Sequence, residues 1–233
     1  MLADEPAQRR VGEALAFDAR RLTAVAEPGA LLAQIWERCP DVIIIAGAAQ
    51  AAHAPALCRQ VRQFFQTPIL VADEGAREEA RIGWLDSGAD DALDLAEAAP
   101  AELRARCFAL LRRLQRQRRR DPAALDLRAH GMRLDLAGRR LHLADGQALD
   151  LTVSQLRLLA LFFKSGGDML PTAQIAAHLL GGAAPAELRR AAALVQSLNR
   201  RLASLKEPLP RLENVRGRGY RLTIEGDAAK GPA

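Results

Sequence analysis

Val42–Ile45, four β-branched aliphatic residues in succession, narrows the possible folds more than any other stretch. β-Branched side chains favour extended backbone. An unbroken apolar run, in place of in–out alternation, describes a strand buried on both faces, as in a parallel sheet. Parallel strands must be joined by crossovers, usually helices. The flanking sequence supplies them. RLTAVA (21–26), TPILVA (67–72) and DALDL (91–95) read as further strands. Between them, PGALLAQIWERC, APALCRQVRQFF (54–65) and REEARIGWLDSG (77–88) have helical spacing, the last closed by Gly88. Residues 99–120 form a long amphipathic helix with Leu103, Cys107, Leu110, Leu111 and Leu114 on one face. Strand and helix in alternation mean an α/β doubly wound parallel sheet, flavodoxin-like, covered on both sides.

In such folds ligands and chemistry sit just past the C-terminal ends of the strands. The loop after Ile45 holds only Ala46, Gly47, Ala48 and Ala49, and none carries a reactive group.

The second half has a different grammar. Asp121-Pro122 ends the long helix. MRLDLAGRRLHLADGQALDLT reads as short strands joined by turns at Gly138 and Gly146. Thr152 with Gln155 makes a capping box and opens a helix that buries Leu156, Leu159, Leu161 and Phe163. Residues 171–182 form a shorter helix with Thr172 as its cap, and a third helix spans about 186–205. PRLENV and YRLTI are strands joined by RGRG, whose glycines permit positive φ. The whole is an α+β winged helix-turn-helix.

Charge divides the chain in the same place. Residues 1–120 carry 17 basic and 17 acidic side chains. Residues 189–221 carry nine basic side chains against Glu207 and Glu213, a net of +7 within the chain's overall +5. A neutral half joined to a focused basic patch describes a control domain and an anion-binding domain. At 233 residues the chain has room for about two domains.

Two resemblances follow. PDVIII, TPILVA and SGADDALDL, at these intervals and preceded by DEPAQRR (4–10), resemble the receiver domain of two-component response regulators. LDLTVSQLRLL and NVRGRGYRL resemble the effector domain of the OmpR/PhoB class. The implied organisation is a receiver-like domain (1–115), a linker (116–127), a winged helix-turn-helix (128–225) and a disordered tail (226–233).

The receiver resemblance implies a phosphoacceptor Asp, an acidic pair for Mg²⁺, and a hydroxyl and a Lys for the phosphate oxygens. This chain departs from it at nearly every position. The acceptor position is Ala46, the hydroxyl position Asp73, the Lys position Leu95 and the aromatic switch position Ala92; of the acidic pair Asp4 remains, with Glu5 beside it. A methyl group is no nucleophile, and a carboxylate at Asp73 repels a phosphoryl group. Asp41, Asp73 and Asp94 do not lie in the loop after Ile45, so none replaces the acceptor. The first strand is nearly absent: either the chain starts upstream or the sheet has lost an edge strand.

The effector resemblance implies DNA contacts from Arg189, Gln196, Ser197 and Asn199 on the third helix, with Arg190 and Arg200 beside them. It implies wing contacts from Asn214 and Arg216, with Arg218 and Arg221 adjacent. Ala191, Leu194, Val195, Leu198 and Leu202 mark the helix's buried face. Gln and Asn pair bidentately with adenine, Arg with guanine or phosphate, so preference shifts toward A·T pairs.

The expected protein is a cytoplasmic, phosphorylation-independent, sequence-specific transcription regulator. Its expected partners are double-stranded promoter DNA, a second copy of itself through charged residues of 77–115, and RNA polymerase. Neither membrane, cofactor nor metal is expected. Cys39, Cys58 and Cys107 lack metal spacing, and His53, His130, His142 and His178 read as ordinary side chains. The chain has no G-x-S-x-G, P-loop or Cys/His cluster, so no enzyme is expected. Two alternatives stand: a regulator still switched by a sensor kinase through a non-standard residue, and a protein-interaction module whose winged helix does not bind DNA.

Overall fold

The computed structural model describes residues 1–16, 22–120, 126–206, 210–215 and 217–224. The chain divides into two units, Met1–Leu125 and Asp126–Ala233. Arg216, Asp121-Pro122 and the tail 226–233 lie outside the described residues.

The first unit contains β1 (Leu2–Ala3), α1 (Glu5–Leu15), α2 (Pro28–Arg38), β2 (Ile43–Ala46), α3 (Ala48–Ala51), α4 (Ala54–Arg62), β3 (Ile69–Asp73), α5 (Glu78–Asp86), β4 (Asp91–Asp94) and α6 (Pro100–Arg120). Its sheet is parallel in the order β1-β2-β3-β4. Ile43, Ile44, Ile45 and Ala46 are all buried, as a two-faced strand requires. Ile44, Leu70 and Leu93 join Val11 of α1 and Leu103, Cys107 and Leu110 of α6 in one core cluster. Asp4 starts α1 by accepting the Ala7 N–H at 3.1 Å.

Two sequence expectations change here. The strand expected over 21–26 is reduced, among the described residues, to an isolated parallel bridge from Val25 to Leu2. The helix read over 99–120 runs through Arg120, so residues 116–120 of the stretch assigned to the linker are helical, with Arg118 paired to Asp41 at 2.8 Å.

The second unit opens with β5 (Leu127–Ala129), β6 (Met132–Asp135), β7 (Arg140–His142) and β8 (Ala148–Asp150), an antiparallel meander centred on the fully buried Leu134 and Leu141. Then come α7 (Val153–Lys164), β9 (Leu170–Pro171), α8 (Thr172–Leu180), α9 (Pro185–Leu202), β10 (Pro210–Val215) and β11 (Gly219–Ile224). The capping box forms as read, with the Gln155 N–H donating to Thr152 and the Gln155 side chain accepting the Thr152 N–H. Thr172 is not a cap: it is the first residue of α8, and Pro171 holds the cap position without a side-chain bond. The wing sheet has the order β10-β11-β9. Gly219 is required where β11 crosses β9, because a Cβ there would lie 2.1 Å from the Leu170 carbonyl oxygen.

Candidate functional site

The outward face of α9 follows from its inward one. Ala191, Val195, Leu198 and Leu202 are at most 1% exposed and fix the helix's rotation. Leu194, expected with them, is only half-buried. At 3.6 residues per turn the opposite line runs through Arg189, Ala193, Gln196 and Arg200, and all four are exposed. Arg190 is exposed on the flank, and Ser197 is half-buried beside the line. Ala193 was missed by the sequence reading, which sought polar groups. It sits midway between Arg189 and Gln196 on the exposed line. Arg200 and Arg201 also fall in the last turn, where the helix dipole favours cations.

Asn199 behaves differently from expectation. β10 is the edge strand of its sheet, so some of its backbone groups lack a strand partner. The Asn199 carboxamide fills that role: its Nδ2 donates to the Leu212 carbonyl and its Oδ1 accepts the Leu212 N–H, both at 2.9 Å. A side chain committed twice to backbone cannot also pair bidentately with a base. Asn199 is therefore a clamp between α9 and the wing, and its place among the base readers is withdrawn. Gln147 does the same to Lys206, accepting its N–H at 2.7 Å and donating to its carbonyl at 3.2 Å. Arg201 donates to the Asp150 carbonyl at 2.7 Å. Three polar side chains thus hold α9 and the segment after it against the two sheets of this unit.

On the wing, β10 and β11 pair with Leu212 opposite Leu222 and Glu213 opposite Arg221. Leu212, Tyr220 and Leu222 face inward, while Arg211, Glu213 and Arg221 are exposed. Arg221 thus shares the outer face with an acidic neighbour. Arg218 is exposed in the turn, where its N–H donates to the Val215 carbonyl at 2.9 Å. Asn214 is exposed and its Oδ1 accepts the Gly217 N–H at 2.8 Å, which shapes the turn.

In the first unit the strand register brings the degenerate pocket together. Ala3, Ala46, Asp73 and Asp94 close β1, β2, β3 and β4, with Ala3 paired to Ala46, Ala46 to Ala72, and Asp73 to Asp94. Gly47 follows at φ 92°, and a Cβ there would lie 2.2 Å from the Asp4 carboxylate, so this carboxylate occupies the space beside the loop. Burial and the nearby charges of Asp4, Asp94 and Glu74 raise the Asp73 carboxyl above its usual range. Asp94 is buried, and the N–H groups of Ala96 and Gly75, donating at 2.8 and 2.9 Å, hold its carboxyl low. It ties the loop after β3 to the loop after β4. Leu95 is 2% exposed, an apolar group where the resemblance expects an ammonium. Arg10 of α1, also missed, pairs with Glu74 at 3.0 Å and donates to the Leu95 carbonyl.

Some of the charges expected to pair across a dimer interface are used within one copy. Arg106 bridges Asp91 at 3.1 Å and Glu102 at 2.7 Å, and Arg62 pairs with Asp90. What α5 leaves outward is Ile82 at 50% and Leu85 at 44% exposure, one turn apart. Cys58 and Cys107 are buried and in no disulfide, and burial pushes their thiols up to about 11. No group of three or more His, Cys, Asp or Glu among the described residues is arranged to hold a metal ion. No helix among them is long and apolar enough to cross a membrane.

Residues 146–222 match the family model described as "Transcriptional regulatory protein, C terminal". The transcriptional regulatory protein BaeR of Escherichia coli O6:H1 is 28% identical over 214 residues, covering 89% of this chain and 84% of its own. The transcriptional regulatory protein CpxR of Escherichia coli K12 is 30% identical over 165 residues, 70% of either chain. Among solved structures, the response regulator DrrB of Thermotoga maritima, described as an OmpR/PhoB homolog, aligns over 96% of this chain and 99% of its own, at 15% identity and a TM-score of 0.41.

Proposed function

Because the chain belongs to the OmpR/PhoB type of two-component response regulators, DNA-binding regulators of transcription, we propose that it binds promoter DNA without needing a phosphoryl group. The observation that carries the DNA part is the exposed line Arg189–Ala193–Gln196–Arg200, backed by a wholly buried apolar face. A helix enters the major groove, where Gln196 suits adenine and the Ala193 methyl suits the thymine methyl. Arg189 and Arg200, at the two ends, suit phosphate or guanine. Arg218 and Asn214 on the wing suit backbone or minor groove, and Arg216, outside the described residues, keeps the role the sequence implies. Ala46 and Leu95 carry the independence from phosphate: one removes the nucleophile, the other the cation that phosphoryl transfer depends on.

The regulator works in the cytoplasm as a dimer, independent of phosphate. Ile82 and Leu85 support α5 as the dimer contact, since two large apolar side chains in one exposed patch favour a self-complementary twofold interface. RNA polymerase is the further partner, for which the exposed residues 181, 183 and 184 between α8 and α9 are available. Titrating Arg200→Ala against specific and scrambled duplexes at several salt concentrations tests the docking. Affinity for both should fall alike and the salt slope by about one unit. Unchanged binding of both duplexes would take α9 off the DNA.

A further inference from the structure

The charges of the first unit are sorted along the chain. Residues 1–103 carry nine arginines and 17 acidic side chains, whereas residues 104–120 carry eight arginines and no acid. All eight lie on α6, whose buried face is Leu103, Cys107, Leu110 and Leu114. At 3.6 residues per turn, Arg112, Arg113, Arg116, Arg119 and Arg120 fall within about a third of the circumference, on the side away from that face. All five are exposed. Two other arginines of the helix are neutralised within the unit, Arg106 by Asp91 and Glu102, and Arg118 by Asp41. No ion pair among the described residues reaches the five. Like charges three and four residues apart repel and weaken a helix. The helix dipole offsets this in the last turn, which holds Arg118, Arg119 and Arg120 but not Arg112, Arg113 or Arg116. At 1.5 Å per residue the stripe is about 12 Å long.

We propose that this stripe is a second grip on DNA, binding backbone phosphates outside the bases that α9 reads; it rests on the DNA-binding reading of the second unit. A row of like charges fits a linear polyanion better than a compact ligand, which would engage one or two of the five. One strand of a duplex presents a phosphate every 3.4 Å or so of axis, so a stripe about 12 Å long passes about three of them. The exposed side chains flanking the stripe are Gln115 and Gln117, which also donate to phosphate. Residues 1–120 contain arginine and no lysine, and the guanidinium fork donates two parallel hydrogen bonds to a phosphate. The acidic balance of residues 1–103 repels a duplex, which leaves the end of α6 as the part of the unit that approaches one. Residues 121–125 join Arg120 to the second unit and span at most about 20 Å. With a second unit about 30 Å across, the stripe reaches phosphates within about 15 base pairs of the bases that α9 reads. An anionic membrane would attract the same charges, but the short tether to a DNA-binding unit favours the duplex.

The test compares the full chain with two triple variants, Arg116→Gln/Arg119→Gln/Arg120→Gln and the same three positions changed to Lys. Both replacements are good helix formers, so α6 persists. The duplex carries a site enriched from a random pool, flanked by about 15 base pairs on each side. Each phosphate contact adds about 0.9 to the slope of log affinity against log salt. The glutamine variant should lose about two to three units of slope, so the advantage of the native sequence should grow roughly 10- to 60-fold between about 200 and 50 mM salt. Its preference for the enriched site over a scrambled one should not change, and the lysine variant should keep the slope. A glutamine variant with the native slope and intact specific binding would overturn the second grip and leave α9 as the reader. A native chain that binds no duplex would overturn both. Slope lost together with the dimer in sedimentation would assign the arginines to the twofold contact, against the proposal. Vesicles of phosphatidylserine and phosphatidylcholine that retain the native chain but not the glutamine variant, with the DNA slope unmoved, would make the occupant a membrane and overturn it too.

Discussion

Asn199→Ala separates holding from reading. The Asn199 carboxamide makes two hydrogen bonds to the Leu212 backbone, both at 2.9 Å, across a partly buried contact. A typical bond contributes about 0.5–1.5 kcal/mol net, so losing both costs about 1–3 kcal/mol. Water reaches the exposed side of β10 and draws the value toward the lower half. In a unit of roughly 100 residues, 1 kcal/mol moves the midpoint by about 4–8 °C. Asn199→Ala should therefore lower the second unit's thermal midpoint by several degrees and speed exchange at Leu212. DNA binding should weaken on specific and scrambled duplexes alike, since a loosened wing loses contacts that carry no sequence information. Gln196→Ala should do the reverse: stability unchanged, and a loss of about 1–3 kcal/mol confined to the specific duplex. If Asn199→Ala leaves the midpoint and the Leu212 amide untouched while specific binding alone falls, the side chain reads bases and the clamp is wrong.

Acetyl phosphate with Mg²⁺ should add no phosphoryl mass by intact mass spectrometry, and Ala46→Asp alone should not restore uptake, because Leu95 still lacks a cation and Asp73 still repels. Asp73 has a raised folded-state pKa, so its ionisation destabilises the first unit as pH rises through that raised value. Asp73→Asn should then raise the thermal midpoint at pH 7, and the gain should vanish as pH falls below the ordinary carboxylate range; a constant gain at every pH would show that charge is not the cause. Ile82→Glu should shift a dimer toward monomer in sedimentation at tens of micromolar, and an unchanged distribution would move the interface away from α5.

Local signals in the sequence reported local structure well. The Val42–Ile45 run, the Thr152–Gln155 box and the apolar line of α9 each depend on neighbours within a few residues: the box appears as read, the buried strand is shifted by one residue to Ile43–Ala46 with Val42 half-buried, and the α9 line holds except at the half-buried Leu194. That Ala46 and Asp73 end neighbouring strands was also legible from the order of the strands. What stayed hidden depends on distant partners. Asn199 looks like a base reader until Leu212, 13 residues on, offers it an edge strand. Arg10 looks like a solvated helix residue until Glu74 and Leu95 come within reach. Asp91 and Glu102 look available to a second copy until Arg106 folds between them.

The most direct test of a phosphate-independent DNA regulator is one titration. A labelled duplex enriched from a random pool is titrated with the full chain, beside a scrambled duplex, with and without acetyl phosphate and Mg²⁺. The enriched duplex should bind about 10³-fold tighter or better, with the same affinity in either condition. Equal binding of both duplexes would contradict sequence reading by α9, and an affinity that rises with the phosphodonor would contradict the silent receiver.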